Sequence, residues 1–258
     1  MLTAGPQVIM FGGMHKPRRW GNKKRGMVGN GYLEQLKQLK YMNTRLIAIT
    51  KPAIPECNNA EALIAYTARV SNPANQANAE TAPRLLAYLQ RNQHWSPFEM
   101  AHMVVEITTT RDIARQILRH RSFSFQEFSQ RYAVVDQGAL PVLREPRLQD
   151  SANRQNSTET DDSDLWNEWL ALQRHAHQYT QGCYQKALRL GLAKEVARSV
   201  LPEGLTESRL YMAGTVRSFI HYCAIRTEAG TQKEHREIAL QIQDILHQQF
   251  PSLAGAAA

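Results

Sequence analysis

Cysteine is scarce in this chain. Its three thiols, Cys57, Cys183 and Cys223, are odd in number and none belongs to a Cys-x-x-Cys pair. That excludes a disulfide framework and a zinc ribbon, predicts no metal site, and fits a reducing cytoplasm. Long apolar runs are also lacking: no stretch approaches the eighteen or so residues of a membrane span. A secretory leader is not expected, because the mildly apolar first fourteen residues precede a basic run instead of following one. Outside the first 41 residues the charge excess is missing too. Residues 1–41 hold eight Lys and Arg against one acid, Glu34, so nearly all of the net charge of +8 sits there and the remainder carries +1.

At 258 residues, with 43% hydrophobic and 21% charged residues, the chain has the composition of one globular domain. Residues 1–31 are rich in Gly, Lys and Arg without periodicity and read as a disordered basic arm, with a short helix at 32–40. A β-branched run at 44–50, closed by Lys51-Pro52, predicts a first strand. The domain is therefore placed at 42–258, with 1–41 either an added arm or the product of a start codon set too early. Helices are expected at 61–70 and 81–92, a strand at 103–110, and a helix at 111–119 whose Arg111, Arg115 and Arg119 recur on one face. The polar segment 144–164 reads as a mobile surface loop. Further helices are expected at 165–190, with Trp166, Trp169, Leu170 and Leu172 in the core, at 193–201, and at 213–227.

The densest chemistry lies in Arg119-His120-Arg121-Ser122-Phe123-Ser124-Phe125-Gln126-Glu127-Phe128-Ser129-Gln130-Arg131-Tyr132. Guanidinium forks suit phosphate oxygens, aromatic faces stack on planar rings, and hydroxyls donate to anions. The plain alternative is a solvated helix end on which arginines stand beside aromatics. Spacing separates the two. Arg-His-Arg, then Ser and Gln-Arg-Tyr, resembles the signature of the flavin-dependent thymidylate synthases. Three more blocks occur in the same order: Ala68-Arg69-Val70-Ser71, His94-Trp95-Ser96-Pro97-Phe98-Glu99, and Ala197-Arg198-Ser199-Val200-Leu201-Pro202.

That resemblance covers roughly residues 44–245 and implies an α+β single domain with a twisted, largely antiparallel sheet flanked by helices. It implies a homotetramer whose active sites are shared between subunits. The implied reaction methylates dUMP to dTMP, with 5,10-methylenetetrahydrofolate as carbon donor and tightly bound FAD reduced by NADPH. Nucleotide contacts are implied at Gln116, Arg119, Glu127, Ser129, Gln130, Arg131, Arg209 and Arg226. Flavin contacts are implied at Ser71, His94, Arg119, His120, Arg121, Glu127, Thr215, Arg217 and His221. Many relatives have asparagine at the Thr215 and His221 positions, and Gly230 stands where some have histidine.

Arg226 also draws attention without the resemblance. On a helix at 213–227 it falls about 20° from Phe219, at the edge of an apolar arc. A cation there needs an anionic or polar partner unless its stem carries the charge outward. None of the cysteines stands beside Pro and His, the setting of the thiol nucleophile in folate-only thymidylate synthases. The resemblance places Arg226 against the uracil ring and so implies that it activates the pyrimidine, with hydride from the flavin. Two rivals remain: a nucleic-acid-binding protein using the arm and the Arg-aromatic stretch, and a flavoprotein of another substrate class. A near-neutral body argues against the first as the main role. Yellow colour separates an enzyme of either flavin class from a colourless, salt-sensitive binder.

Overall fold

A computed structural model of the chain describes residues 42–135 and 140–254; the basic arm and the helix expected at 32–40 lie outside them. Strand β1 (Asn43–Ile49) pairs antiparallel with β2 (His102–Thr110), with a register shift between Leu46 and Ala48. The β-branched run of β2 turns Met103, Val105, Ile107 and Thr109 to one face, all fully buried, as period-two alternation requires. On its other side lies β6 (Glu207–Thr215), antiparallel over nine residues, so that Val105 faces Met212 and Ile107 faces Leu210. β3 (Ser124–Glu127) pairs with the free side of β6 and completes the order β1-β2-β6-β3. The class is α+β with an antiparallel sheet, as expected.

The helix expected from residue 213 is corrected by β6. Residues 207–215 are strand, and helix α6 (Val216–Arg226) begins only after them. Leu210, Met212, Ala213 and Gly214 have weak strand preference, and pairing with a neighbour on each side overrides it. Thr215 ends the strand and caps the helix, its Oγ1 accepting the Ser218 N–H at 3.1 Å. Gly214 has a packing reason. A Cβ there would lie 2.4 Å from Cδ1 of Phe123, so the bare backbone gives the Phe123 ring its seat. That ring meets Phe219 edge-on at 4.9 Å and ties the 118–128 segment to α6.

Helices cover the inner face of the sheet. α1 (Ala60–Ala68) and α2 (Ala82–Arg91) contribute Ile64, Leu86 and Leu89, and α6 adds Val216, Phe219 and Cys223. α3 (Arg111–Ile117) follows β2 directly and buries Ile113, Ala114 and Ile117. The last helix, α7 (Lys233–Gln249), has no counterpart among the expected elements. It buries Ile238, Ala239, Ile242 and Leu246, a helical spacing, in the same core.

Three further expectations change. Within 144–164, β4 (Arg147–Gln149) and β5 (Ser157–Glu159) form a hairpin. Asp150 shapes its turn by accepting the N–H groups of Ala152 at 2.7 Å and Asn153 at 3.0 Å. Ion pairs fasten it: Lys233 to Glu159 at 2.7 Å and Arg147 to Glu234 at 2.6 Å. α4 (Ser163–Arg189) buries Trp166, Leu170 and Tyr184, but Trp169 and Leu172 are exposed. Both lie off the buried stripe, about 60° and 120° round the helix from Trp166. α5 (Lys194–Ala197) and a 3-10 turn to Val200 replace the longer helix expected at 193–201. A small second core joins Tyr184 to Val135, Ala197 and Leu201.

Candidate functional site

The site is assembled from α3, β3, β6, both ends of α6 and the start of α7. Along α3 and the turn that follows it, three arginines grade from inside to outside. Arg111 is 6% exposed, Arg115 is half-exposed, and Arg119 is exposed. Glu127 on β3 meets Arg111 at 3.5 Å and Arg115 at 3.7 Å, and accepts the Ser208 hydroxyl at 2.8 Å. The carboxylate is thereby held by one hydrogen bond and two longer ion pairs. Beside it a cavity of about 350 Å³ is lined by Arg111, Arg115, Gln130, Arg198, Ser199 and Glu203, with Glu195 and Leu201. Gln130 is 3% exposed, yet its Nε2 has no hydrogen-bond partner among the described residues, and neither has Nη1 of Arg111. Buried donors are costly unless something accepts from them. Arg111, Arg115 and Arg198 outnumber Glu195 and Glu203 at this cavity, and with two buried donors lacking a hydrogen-bond acceptor they suit a phosphate or another anionic group.

At the C-terminal end of α6 the polar groups are matched to one another. Arg226 Nε donates to His120 Nε2 at 2.9 Å. Arginine cannot accept, so that imidazole nitrogen is bare and the ring proton resides on Nδ1. Burial, then the charges of Arg226 and Arg119, push the His120 pKa below its ordinary value and keep the ring neutral. The His120 ring stands edge-on to Tyr222, at 4.9 Å. Behind them His235, fully buried on α7, joins Tyr222 Oη at 3.0 Å and Gln116 Oε1 at 3.3 Å. With its Nε spent on His120, Arg226 keeps its Nη fork for a ligand. The polar partner that sequence geometry demanded for Arg226 is this histidine.

At the N-terminal end of the same helix the groups are looser. Arg217 pairs with Glu99, both side chains about two-fifths exposed. His221 sets its ring edge-on to Trp95 at 4.7 Å, and its buried Nε2 has no partner among the described residues. Burial and then the Arg217 charge lower the His221 pKa. A neutral ring with an idle nitrogen, beside an indole and a cation, suits a planar phosphorylated cofactor. The Thr215 hydroxyl is committed to its cap: it accepts the Ser218 N–H and shares a 3.0 Å bond with Ser218 Oγ, which itself donates to the Ser122 carbonyl.

The remaining predicted positions are not gathered with these. Ser71 is exposed in the turn after α1. Its neighbour Arg69 is buried and clamps that turn, donating to the Asn78 carbonyl and to Thr81 Oγ1. His94 is exposed beside Tyr88, and Arg121 is exposed. Ser129 Oγ accepts the Arg131 N–H at 3.3 Å, while Arg131 pairs with Glu195 at 3.2 Å. Arg209 lies on the opposite sheet face from Ser208, with Tyr211 and Glu106, away from the inward residues of β6. At the sequence level Arg111 and Arg115 stood out only as one face of a helix, and Arg198, Ser208, Tyr222 and His235 went unassigned. Arg198 stood inside a quoted motif, and Ser208 beside Arg209. For Tyr222 and His235 the only signal was polar groups on the buried sides of two helices.

The family model described as thymidylate synthase complementing protein matches residues 53–252. A probable flavin-dependent thymidylate synthase of Paramecium bursaria Chlorella virus 1 is 49% identical over 217 residues, 83% of this chain and 98% of the relative. The chain belongs to the flavin-dependent thymidylate synthase family. A member from Synechocystis sp. is 49% identical over 218 residues, 83% of this chain and 99% of its own length. Among solved structures, a UMP/dUMP methylase, PolB from Streptomyces cacaoi bound with 5-Br dUMP, superposes with a TM-score of 0.72 at 26% identity. It covers 83% of this chain and 93% of its own.

Proposed function

We propose that the protein methylates dUMP to dTMP, taking the carbon from 5,10-methylenetetrahydrofolate and using FAD that NADPH reduces. Residues 42–258 form the catalytic domain and 1–41 an extension outside it. The observation that carries this reading is a pair of buried donors without a hydrogen-bond acceptor, Gln130 Nε2 and Arg111 Nη1, the latter only ion-paired to Glu127 at 3.5 Å, at a cavity where three arginines outnumber Glu195 and Glu203 in a chain of this family. Their unmet hydrogen-bonding capacity is what a nucleotide phosphate supplies. Bound flavin would contribute the hydride that reduces the transferred carbon.

The chain's own residues do the rest. Arg115 and Arg198 hold the anion with Arg111, while Glu127 keeps Arg111 and Arg115 in place. Gln116, Arg119, Ser129, Gln130 and Arg131 add contacts; Arg209, on the opposite sheet face, is not assigned to this cavity. Arg226 faces the pyrimidine and favours electron density on its carbonyl side, which raises reactivity at C5 and C6. His120, neutral and protonated on Nδ1, fixes the Arg226 fork through Nε2. His221, Arg217 and Thr215 line the flavin side, with Ser71, His94, Arg119, His120, Arg121 and Glu127. A thiol nucleophile has little support: Cys57 and Cys223 are buried, and burial pushes the Cys223 thiol up to about 12. Ser71, His94 and Arg121 stay exposed in one chain, which fits a homotetramer with sites shared between subunits. No described helix is long and apolar enough to cross a membrane; three cysteines free of disulfides fit a cytoplasmic enzyme.

The test is direct. Purified protein is expected to be yellow and to form dTMP from dUMP only when the folate donor and a reductant are both present. A colourless protein that forms no dTMP after FAD is added overturns the proposal, and steep salt-dependent DNA binding by it would favour the nucleic-acid alternative.

A further inference from the structure

A chain of hydrogen bonds runs from the core to the candidate nucleotide site, and its direction is fixed at one end. Glu234 is 5% exposed and accepts Arg147 Nη2 at 2.6 Å. Its other oxygen accepts Gln232 Nε2 at 2.9 Å. Burial raises the pKa of this carboxyl, but the Arg147 charge and hydrogen bond outweigh that and hold it below its ordinary value. An ionised carboxylate only accepts, so Gln232 must turn its amide nitrogen to Glu234 and its oxygen to Gln116. Gln116 Nε2 then donates to Gln232 Oε1 at 2.7 Å, which leaves Gln116 Oε1 facing His235 Nδ1 at 3.3 Å. An amide oxygen cannot donate, so His235 Nδ1 carries the proton. Its Nε2 is bare and accepts the Tyr222 hydroxyl at 3.0 Å. Reversing any one amide sets two donors or two acceptors against each other in a buried site.

From this we infer that Glu234 is a positioning residue that sets the polarity of the site: through Gln232 it fixes the orientation of Gln116, so that the free Nε2 hydrogen of Gln116 is its contact to an acceptor oxygen of the nucleotide, and it imposes the Nδ1–H tautomer on His235. Free imidazole has no reason to prefer that tautomer, so its presence reports the carboxylate two side chains away. The ring so oriented stands edge-on to His120 at 6.2 Å, and Tyr222 backs the same ring. One buried ion pair thus reaches the histidine that holds Arg226. The substrate contact rests on the nucleotide reading of the site; the tautomer does not.

The experiment uses the full chain labelled with ¹⁵N-histidine and two-bond ¹H–¹⁵N correlation at pH 7.5, with the His235 signal assigned by its loss in His235→Gln. Wild type is expected to show the Nδ1–H tautomer at this position. Gln232→Leu keeps the Arg147–Glu234 pair but cuts its link to Gln116, and is expected to shift His235 toward Nε2–H or a mixture. It is also expected to raise KM for dUMP roughly five- to tenfold, the worth of one misdirected hydrogen bond, with kcat changed by less than about twofold. Glu234→Gln, where it folds, should give the same tautomer shift. An Nε2–H tautomer in wild type overturns the inference, as does an unchanged tautomer in Gln232→Leu. A fall in melting temperature with KM and tautomer unmoved also overturns it, because that is a merely structural role. Absence of dTMP formation by wild type would remove the proposed reaction and the KM arm while the tautomer result stands.

Discussion

The two ends of α6 carry similar side chains and treat them in opposite ways. At the C-terminal end, Arg226, His120, Tyr222 and His235 bond or stack on one another behind a buried ion pair. At the N-terminal end, Arg217 and Glu99 are both partly exposed, and the His221 nitrogen is buried without a partner. Mutual commitment preorganises a cation before substrate arrives, which is where electrostatic catalysis gains most. Idle groups instead await something that completes them. One helix can therefore hold a committed set of groups and an open one, because its phase sends different residues to different neighbours.

The largest expected effect is at the committed end. Arg226→Ala should lower kcat by on the order of 10²–10³, the usual cost of one preorganised donor, with flavin content unchanged in the absorbance spectrum. Arg226→Lys should restore only part of this, since an ammonium lacks the fork. Near wild-type kcat in the alanine variant would break the comparison, because the closed end would then be packing alone.

Titration sharpens it next. Burial first, then the charges of Arg226 and His120, push the His235 pKa down to about 4 from the ordinary 6.5. The folded state keeps this ring neutral while the unfolded chain binds a proton below 6.5. Its contribution is therefore fully present above 6.5, shrinks as pH falls, and is gone below about 4. That difference amounts to ~3 kcal/mol at most. Urea midpoints for wild type should fall from pH 7.5 to 5, above the range in which carboxylates titrate, and fall less for His235→Gln. Parallel pH profiles for the two proteins would rule out His235 as the source.

A smaller change should separate packing from chemistry. Gly214→Ala drives a Cβ into the Phe123 ring, and overpacking of this kind costs about 1–3 kcal/mol. Because Phe123 seats the segment that carries His120, the variant should weaken dUMP binding together with stability, read as KM and thermal midpoint. An unchanged midpoint would mean the ring moves freely and does not position the segment.

The smallest effects are expected where neither end of α6 is touched. A chain beginning at Met42, and a variant with Cys57, Cys183 and Cys223 all changed to Ala, should keep kcat within about twofold, allowing for some packing loss at buried Cys223. Abolished turnover with intact flavin in the cysteine variant would mean that a thiol takes part after all.

The chemistry of the site was legible wherever it was local. Arg119-His120-Arg121 and the Gln130-Arg131 pair could be read directly, and the helix phase alone required a partner for Arg226. His235 was out of reach, since its role depends on α7 returning beside α3 more than a hundred residues after Gln116. Trp169 and Leu172 show the same limit in reverse. Both are apolar and helical, yet they lie off the buried stripe of α4 and stay exposed.

By itself the sequence determined the family signature, the strand at β2 with its alternating β-branched face, and the stock of cations available to an anionic ligand. Those properties live in neighbouring residues, where steric preference and charge act over a few bonds. Tertiary structure alone decided that residues 207–215 are a strand, that Arg111 is buried with an idle donor, and that Glu127, Ser208 and Arg115 converge. Each of these depends on pairing or burial between distant segments, and such contacts outweigh the weak local preference of residues such as Leu210, Met212 and Gly214.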